Sequence, residues 1–241
     1  MTLLSGRQLA IRGRLRPTDL DIFPGQLVAL IGPNGGGKTS LLRALARIEG
    51  ASGVVAIDGE DLDEAPMARR RQLLALLPAS RDIAWPIAAR DVIRLGLDRD
   101  DEQRIAELIA LLELEKLADR PVNQLSTGER ARVLFARALA GNAKLLLLDE
   151  PLSNLDPYWV LRFLEIFEAA AVSGQAVLVA LHDLGQLDRF DRALLIASGR
   201  VQIDEAPDDL VASERFEEIF RISSANGRWA IRPPVDPQSS P

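Results

Sequence analysis

Leu27-Val28-Ala29-Leu30-Ile31-Gly32-Pro33-Asn34-Gly35-Gly36-Gly37-Lys38-Thr39-Ser40 decides the fold of this chain. Its first five residues form a short apolar run without polar alternation, the pattern of a strand buried on both faces of a parallel sheet. Gly32 ends the run, and Ser40 to Arg47 continues with helical spacing. Between them lies Gly-x-x-x-x-Gly-Lys-Thr, in the strand, loop, helix context in which this spacing cradles phosphates. Three successive glycines let backbone N–H groups turn inward around an anion with no Cβ in the way, and the following helix presents its positive end. Lys38 is placed to reach the β- and γ-phosphates of a nucleotide, and the Thr39 hydroxyl to ligate Mg²⁺. Gly32, Pro33, Asn34, Gly35, Gly36, Gly37, Lys38, Thr39 and Ser40 are therefore read as nucleotide-binding, with Thr39 also a metal ligand.

Outward from this loop, strand and helix signals alternate. Leu145 to Leu148, Ala176 to Leu181 and Ala193 to Ala197 are further short apolar runs, expected as buried strands. Their ends converge on one edge with Gly32, so Asp149 and His182 fall just beyond the carboxyl edge, where open parallel sheets bind ligands. Val54 to Ile57 followed by Asp58-Gly59 has hairpin chemistry and predicts a small antiparallel element. From Arg90 to Ala140 the pattern is helical, with Ile105, Leu108, Ile109 and Leu112 at helical intervals. Arg69-Arg70-Arg71, the one basic run, reads as a solvated helix face. The proline-rich tail 232–241 reads as disordered.

Composition narrows the function classes. The chain has 241 residues, 47% of them hydrophobic, enough for the core of one large α/β domain. Without cysteine there is no disulfide framework, thiolate metal site or cysteine nucleophile, and the chain fits a reducing compartment. No stretch approaches about 18 consecutive apolar residues, and Met1 to Ala10 lacks a signal peptide's charged start and apolar core, so any membrane contact is expected through a partner. A net charge of −6 argues against nucleic acid as a partner.

Two acids, Asp149 and Glu150, follow four leucines and so emerge where a buried strand reaches the sheet edge; helix capping near Pro151 is the alternative role. About twenty residues earlier stands Leu125-Ser126-Thr127-Gly128-Glu129, at the start of an amphipathic helix through Val133, Ala136 and Leu139. Glu129, three residues after Ser126, forms a capping-box pattern, and the helix start offers a hydroxyl and free N–H groups to an anion.

The phosphate loop, the Leu-Ser-x-Gly-Glu element and the acidic strand end, in this order, resemble the motifs of ATP-binding cassette (ABC) ATPases over nearly the whole stretch from Leu9 to Ile222. The resemblance implies an α/β P-loop NTPase fold. It would have a RecA-like parallel core, a small antiparallel β subdomain and a helical subdomain near 80–140, all in one domain spanning 1–231. It further implies a head-to-tail homodimer around two Mg-ATP, with Ser126, Gly128 and Glu129 facing ATP held by the opposite subunit. Asp149 would hold Mg²⁺ through its water shell, Glu150 would orient and deprotonate the attacking water, and His182 would contact the γ-phosphate as the switch histidine. Asp156, in Ser153-Asn154-Leu155-Asp156, would belong to the loop communicating between the paired sites.

Three positions depart from the family pattern. Thr127 replaces a glycine. No aromatic residue lies between Gln8 and Arg16 to stack on adenine, leaving Arg12 or Arg14 for that role. Leu77-Pro78 is followed by Ala79 where importer ATPases carry a glutamine that serves Mg²⁺ and coupling. Ala84-Trp85-Pro86 with Ile87 to Leu95, and Phe216-Glu217-Glu218-Ile219-Phe220, resemble ATPases of importers for iron-siderophore, haem or cobalamin. The resemblance thus implies an ATPase on the cytoplasmic face of the inner membrane, powering integral permease subunits with a substrate-binding protein. A soluble assembly factor, or an ATP switch that hydrolyses weakly, is the alternative.

Overall fold

The structure is a computed structural model and describes residues 1–48, 50–80, 83–225 and 228–231; the tail 232–241 lies outside the described residues. In chain order the elements are β1 (Leu4–Ile11), β2 (Leu15–Ile22), β3 (Leu27–Ile31), α1 (Lys38–Leu45), β4 (Ser52–Ile57), β5 (Glu60–Asp61), α2 (Met67–Leu73), β6 (Leu74–Leu77), α3 (Ala89–Arg94), α4 (Glu102–Leu111), α5 (Thr127–Ala140), β7 (Leu145–Asp149), α6 (Pro157–Val172), β8 (Ala176–Ala180), β9 (Arg192–Ala197), β10 (Arg200–Glu205), α7 (Pro207–Ala212), α8 (Glu214–Phe220), β11 (Ile222–Ala225) and β12 (Arg228–Ile231).

The strands build a six-stranded sheet in the order β10-β9-β3-β8-β7-β6 and a four-stranded sheet in the order β2-β1-β4-β5, with β11 and β12 paired apart. In the larger sheet β3, β6, β7, β8 and β9 run parallel and only the edge strand β10 is antiparallel. The smaller sheet is antiparallel throughout.

Every residue of β3, β7 and β8 is buried, which is why the sequence shows unbroken apolar runs there. The pleat nonetheless sorts these side chains between two separate cores. Leu27, Ala29 and Ile31, with Leu146, Leu148, Val177 and Val179, join the core formed with α3 to α6. Val28 and Leu30, with Leu145, Leu147 and Leu178, face α1 and the antiparallel sheet. The helical layer is anchored by aromatic contacts: Phe135 meets Phe163 at 4.4 Å and Phe167 edge-on at 5.5 Å between ring centroids. Gly96 at the end of α3 permits the close approach to α5, since a Cβ there would lie 2.1 Å from the Arg137 carbonyl oxygen.

The expected strands, the hairpin after Val54 and the helical stretch before Ala140 are all present. β1 and β2 carry no clean alternation in sequence. β1 is interrupted by register shifts on both sides of Leu9 and by a positive φ at Gln8, so its pattern breaks where its side chains change face.

Because Phe163 is fully buried at the centre of this aromatic cluster, Phe163→Ala is expected to cost about 3–5 kcal/mol in urea unfolding. Nucleotide affinity measured on the folded variant should stay unchanged; a loss below about 1 kcal/mol would show that the helical layer does not depend on this ring.

Candidate functional site

The loop between β3 and α1 is forced into its shape by what lies behind it. Gly32 has φ +154, and a Cβ there would sit 2.0 Å from the Ile196 carbonyl oxygen of β9. Gly37, at φ +118, forms the N-cap of α1 in the left-handed region. Both positions exclude side chains, one through contact and one through conformation. Lys38 folds back over the loop, its Nζ donating to the Gly32 carbonyl at 2.8 Å and to the Pro33 carbonyl at 3.4 Å. It is 6% exposed. Burial pushes its pKa below the ordinary lysine value, against the opposing pull of Glu150 and Asp149.

Asp149 ends β7 and is 3% exposed. Burial raises its pKa; a hydrogen bond from Thr39 lowers it, the nearby Glu150 raises it, and Arg43 and Lys38 lower it. Among the described residues its buried Oδ1 has no hydrogen-bond partner, a deficit that an ordered water or a bound ion would fill.

Glu150 follows at φ +53, the left-handed region that costs a residue with a Cβ about 1–3 kcal/mol and clusters at functional positions. Its N–H donates to the Ala180 carbonyl at 3.2 Å, and Asp149 pairs in register with Ala180. This pairing brings together residues distant in sequence. His182, just beyond β8, places Nε2 2.6 Å from Glu150 Oε1.

A cavity of about 770 Å³ opens over the loop, lined by residues 33–40 together with Arg43 and Glu150. Its far wall is the end of the β1–β2 turn with the first two residues of β2, Gly13 to Arg16, and the β9–β10 turn, Ser198-Gly199. Arg14 lines it; Arg12 does not. Glu150 also lines a smaller cavity, of about 140 Å³, shared with His182.

The second group of expected residues lies elsewhere on the surface and does not line the large cavity. Ser126 is the N-cap of α5 and closes a capping box with Glu129: the Ser126 Oγ accepts from Glu129 N at 3.3 Å, and the Glu129 carboxylate accepts from Ser126 N at 2.8 Å. That backbone bond holds the Glu129 carboxyl below the usual range. A Cβ placed on Gly128 would meet the Asn154 carbonyl oxygen at 3.8 Å and Leu155 at 4.0 Å, ordinary contact distances. Asp156 caps α6, accepting from Trp159 N at 3.0 Å. Ala79 is exposed after β6.

Sequence reading missed Gly13, Leu15, Arg16, Arg43, Ser198 and Gly199 as part of the cavity. Arg43 stands one helical turn beyond Thr39 and was there to be found by spacing. The two turns reach the site only through sheet pairing and carry no local signal.

Comparison with known proteins gives the family. The ABC transporter family profile matches residues 15–153. A hemin import ATP-binding protein of Streptomyces coelicolor is 39% identical, over 89% of this chain and 81% of that one. A petrobactin import ATP-binding protein of Bacillus anthracis is 31% identical, over 88% and 82%. Among solved structures, an ATP-binding subunit of an ABC transporter superposes with a TM-score of 0.80 at 24% identity, covering 91% of this chain and 98% of that one. A dimeric ATP-binding cassette in a post-hydrolysis state with ADP and phosphate gives 0.76 at 23%, covering 85% and 99%. With a buried lysine over a glycine loop, and an unsatisfied aspartate beside a strained glutamate at the next strand end, the chain belongs to the ABC transporter family as an ATP-binding and ATP-hydrolysing domain.

Proposed function

We propose that two copies of this chain close head to tail over two ATP molecules and drive a membrane permease, importing an iron-bearing compound of the haem or siderophore class through an inner membrane. The observation that carries the catalytic part is Glu150, held in a left-handed backbone between the phosphate-loop cavity and His182. Hemin and petrobactin importers among the relatives support the cargo class. No helix among the described residues is long and apolar enough to cross a membrane; in this reading the path through the membrane belongs to the permease, fed by a substrate-binding protein.

In this reading the loop N–H groups and Lys38 hold the phosphates, Lys38 exchanging its contacts with the Gly32 and Pro33 carbonyls for phosphate oxygens. Glu150 accepts the proton of the attacking water. His182 leaves Glu150 to contact the γ-phosphate. Ser126 and Gly128 at the start of α5 meet the nucleotide of the partner subunit, and Asp156 fixes the turn between the two sites.

Mg²⁺ fits the residues present. The orphaned Asp149 Oδ1 beside the Thr39 hydroxyl offers one carboxylate and one hydroxyl, and Mg²⁺ takes few protein ligands when phosphates complete its shell. Bound there, it would neutralise charge developing on the β- and γ-phosphates. A switch that hydrolyses ATP slowly is the second reading, favoured by Ala79 where a metal-directed glutamine is expected and by a cavity without an aromatic wall.

Two measurements test these roles. Since burial raises the Asp149 pKa, the folded state holds this proton more tightly than the unfolded chain, so the aspartate's contribution to stability falls as pH rises through the interval between the two pKa values. Asp149→Asn should abolish this slope and raise the thermal midpoint at neutral pH by about 2–4 °C, while losing Mg-dependent ATP hydrolysis; an unchanged midpoint and slope would remove the electrostatic argument. Glu150→Gln is expected to reduce ATP hydrolysis about 10²–10⁴-fold and to trap a dimer by light scattering with ATP but not ADP. Equal hydrolysis rates in wild type and variant would sink Glu150 as the base.

A further inference from the structure

The start of α5 lies against the loop that leads into α6, and a side chain outside every motif quoted above joins the two helices. A Cβ on Gly128 would reach the Asn154 carbonyl oxygen at 3.8 Å, so the turn that begins at Ser126 stands beside the loop that ends in Asp156. Further along α5, Arg132 extends to two other elements. Its Nη1 donates to the Leu112 carbonyl at 2.8 Å and to the Glu113 carbonyl at 3.0 Å, where α4 ends. Its guanidinium carbon lies 4.3 Å from the centre of the Trp159 ring, in the first turn of α6.

Trp159 is itself held from several sides. Its backbone N–H donates to the Asp156 carboxylate at 3.0 Å, and the rings of Tyr158 and Phe163 meet it edge-on at 5.3 and 6.2 Å. Tyr158 Oη donates to the Glu113 carboxylate, so the end of α4 is gripped by α5 and by α6. The guanidinium is half-buried. Burial lowers its pKa, while the charges of Glu129, Glu113 and Asp156 raise it, which sets Arg132 within reach of both helix starts. A cation withdrawn from water over an indole face is the stronger form of this contact. Arg132 lays its face on the ring and spends its edge N–H groups on carbonyls, a combination open to a planar guanidinium and closed to an ammonium.

We infer that Arg132 is a positioning residue for ATP hydrolysis: by clasping Trp159 it locks the Asp156 turn to the start of α5, so that Ser126, Gly128 and Asp156 meet the partner subunit as one rigid surface. This rests on the reading above in which those three residues face the partner subunit. Trp159 and Asp156 belong to one helical turn, and the cap bond between them passes any displacement of the ring to the carboxylate. Without the clasp, the two helix starts would have to be ordered at each closure, which weakens association. Nucleotide held by the phosphate loop of a single subunit is a separate matter, since neither Arg132 nor Trp159 lines that cavity.

The test places Arg132→Ala, Trp159→Leu, Trp159→Phe and the double variant Arg132→Ala with Trp159→Leu in the full chain carrying Glu150→Gln. Three quantities are measured: the dimer dissociation constant in Mg-ATP by light scattering, Mg-ADP affinity by calorimetry, and stability in urea. Arg132→Ala and Trp159→Leu should each weaken the ATP-dependent dimer about tenfold or more and leave ADP affinity within about twofold. The double variant should be no weaker than either single one, the mark of a shared contact, and Trp159→Phe should restore the dimer to within about threefold. An unchanged dimer constant in both single variants, with urea stability lowered, would reduce the clasp to packing and overturn the inference; so would losses that simply add in the double variant. If Arg132→Ala does not fold, the comparison of Trp159→Leu with Trp159→Phe decides alone, and equally strong dimers in the two overturn it. Failure of the underlying reading looks different: Glu150→Gln with the clasp intact would stay monomeric in ATP, and Ser126→Ala would leave hydrolysis unchanged. That result removes the partner-facing surface, and the role of Arg132 with it.

Discussion

The strand Leu27–Ile31 has no solvent side, and the site depends on that constraint. With neighbours β8 and β9 paired in parallel on its two edges and a separate apolar core on each face, the strand leaves the chain one direction of exit, at its carboxyl end. The turn into α1 must then be made against β9, where the Ile196 carbonyl leaves no room for a side chain at Gly32. A loop pressed this closely to a neighbouring strand has its N–H groups fixed before any ligand arrives. Preorganisation of this kind lowers the ordering cost of binding.

The charges around the loop are unsettled without a ligand. Burial works against the ammonium of Lys38 and against the carboxylate of Asp149, although each has an opposite charge nearby. Lys38 satisfies its protons with two backbone carbonyls, and Asp149 keeps one oxygen unbonded. An anionic phosphate chain would answer the first and a divalent cation the second, two separate deficits that one metal-bound nucleotide would correct. The strained Glu150 backbone belongs to the same pattern: the fold gives up local stability where a carboxylate at the sheet edge lines the cavity.

Much of this was legible in the sequence because double-sided burial writes itself as uninterrupted apolar residues. Leu27 to Ile31, Leu145 to Leu148 and Ala176 to Leu181 could be read as strands, and their polar ends as one edge. The Ser126–Glu129 capping box was legible from two residues at fixed spacing. What resisted reading was whatever depends on register between distant segments. The contact of His182 with Glu150 exists because Asp149 pairs with Ala180, and the placement of Arg16 depends on a turn of β9–β10 approaching a turn of β1–β2. Arg12, Arg14 and Arg16 are alike in sequence, yet only Arg14 and Arg16 line the cavity.

The two cores divided by the six-stranded sheet carry a thermodynamic consequence. Side chains such as Phe163 and Leu41 share no partner, because a wall of hydrogen-bonded backbone stands between their clusters. Losses of packing on opposite sides should combine by simple addition, whereas pairs within one cluster, such as Phe135 and Phe163, should show coupling. The sheet insulates the layer that grips the phosphate loop from changes in the helical layer, and sequence drift can proceed in either core without disturbing the other.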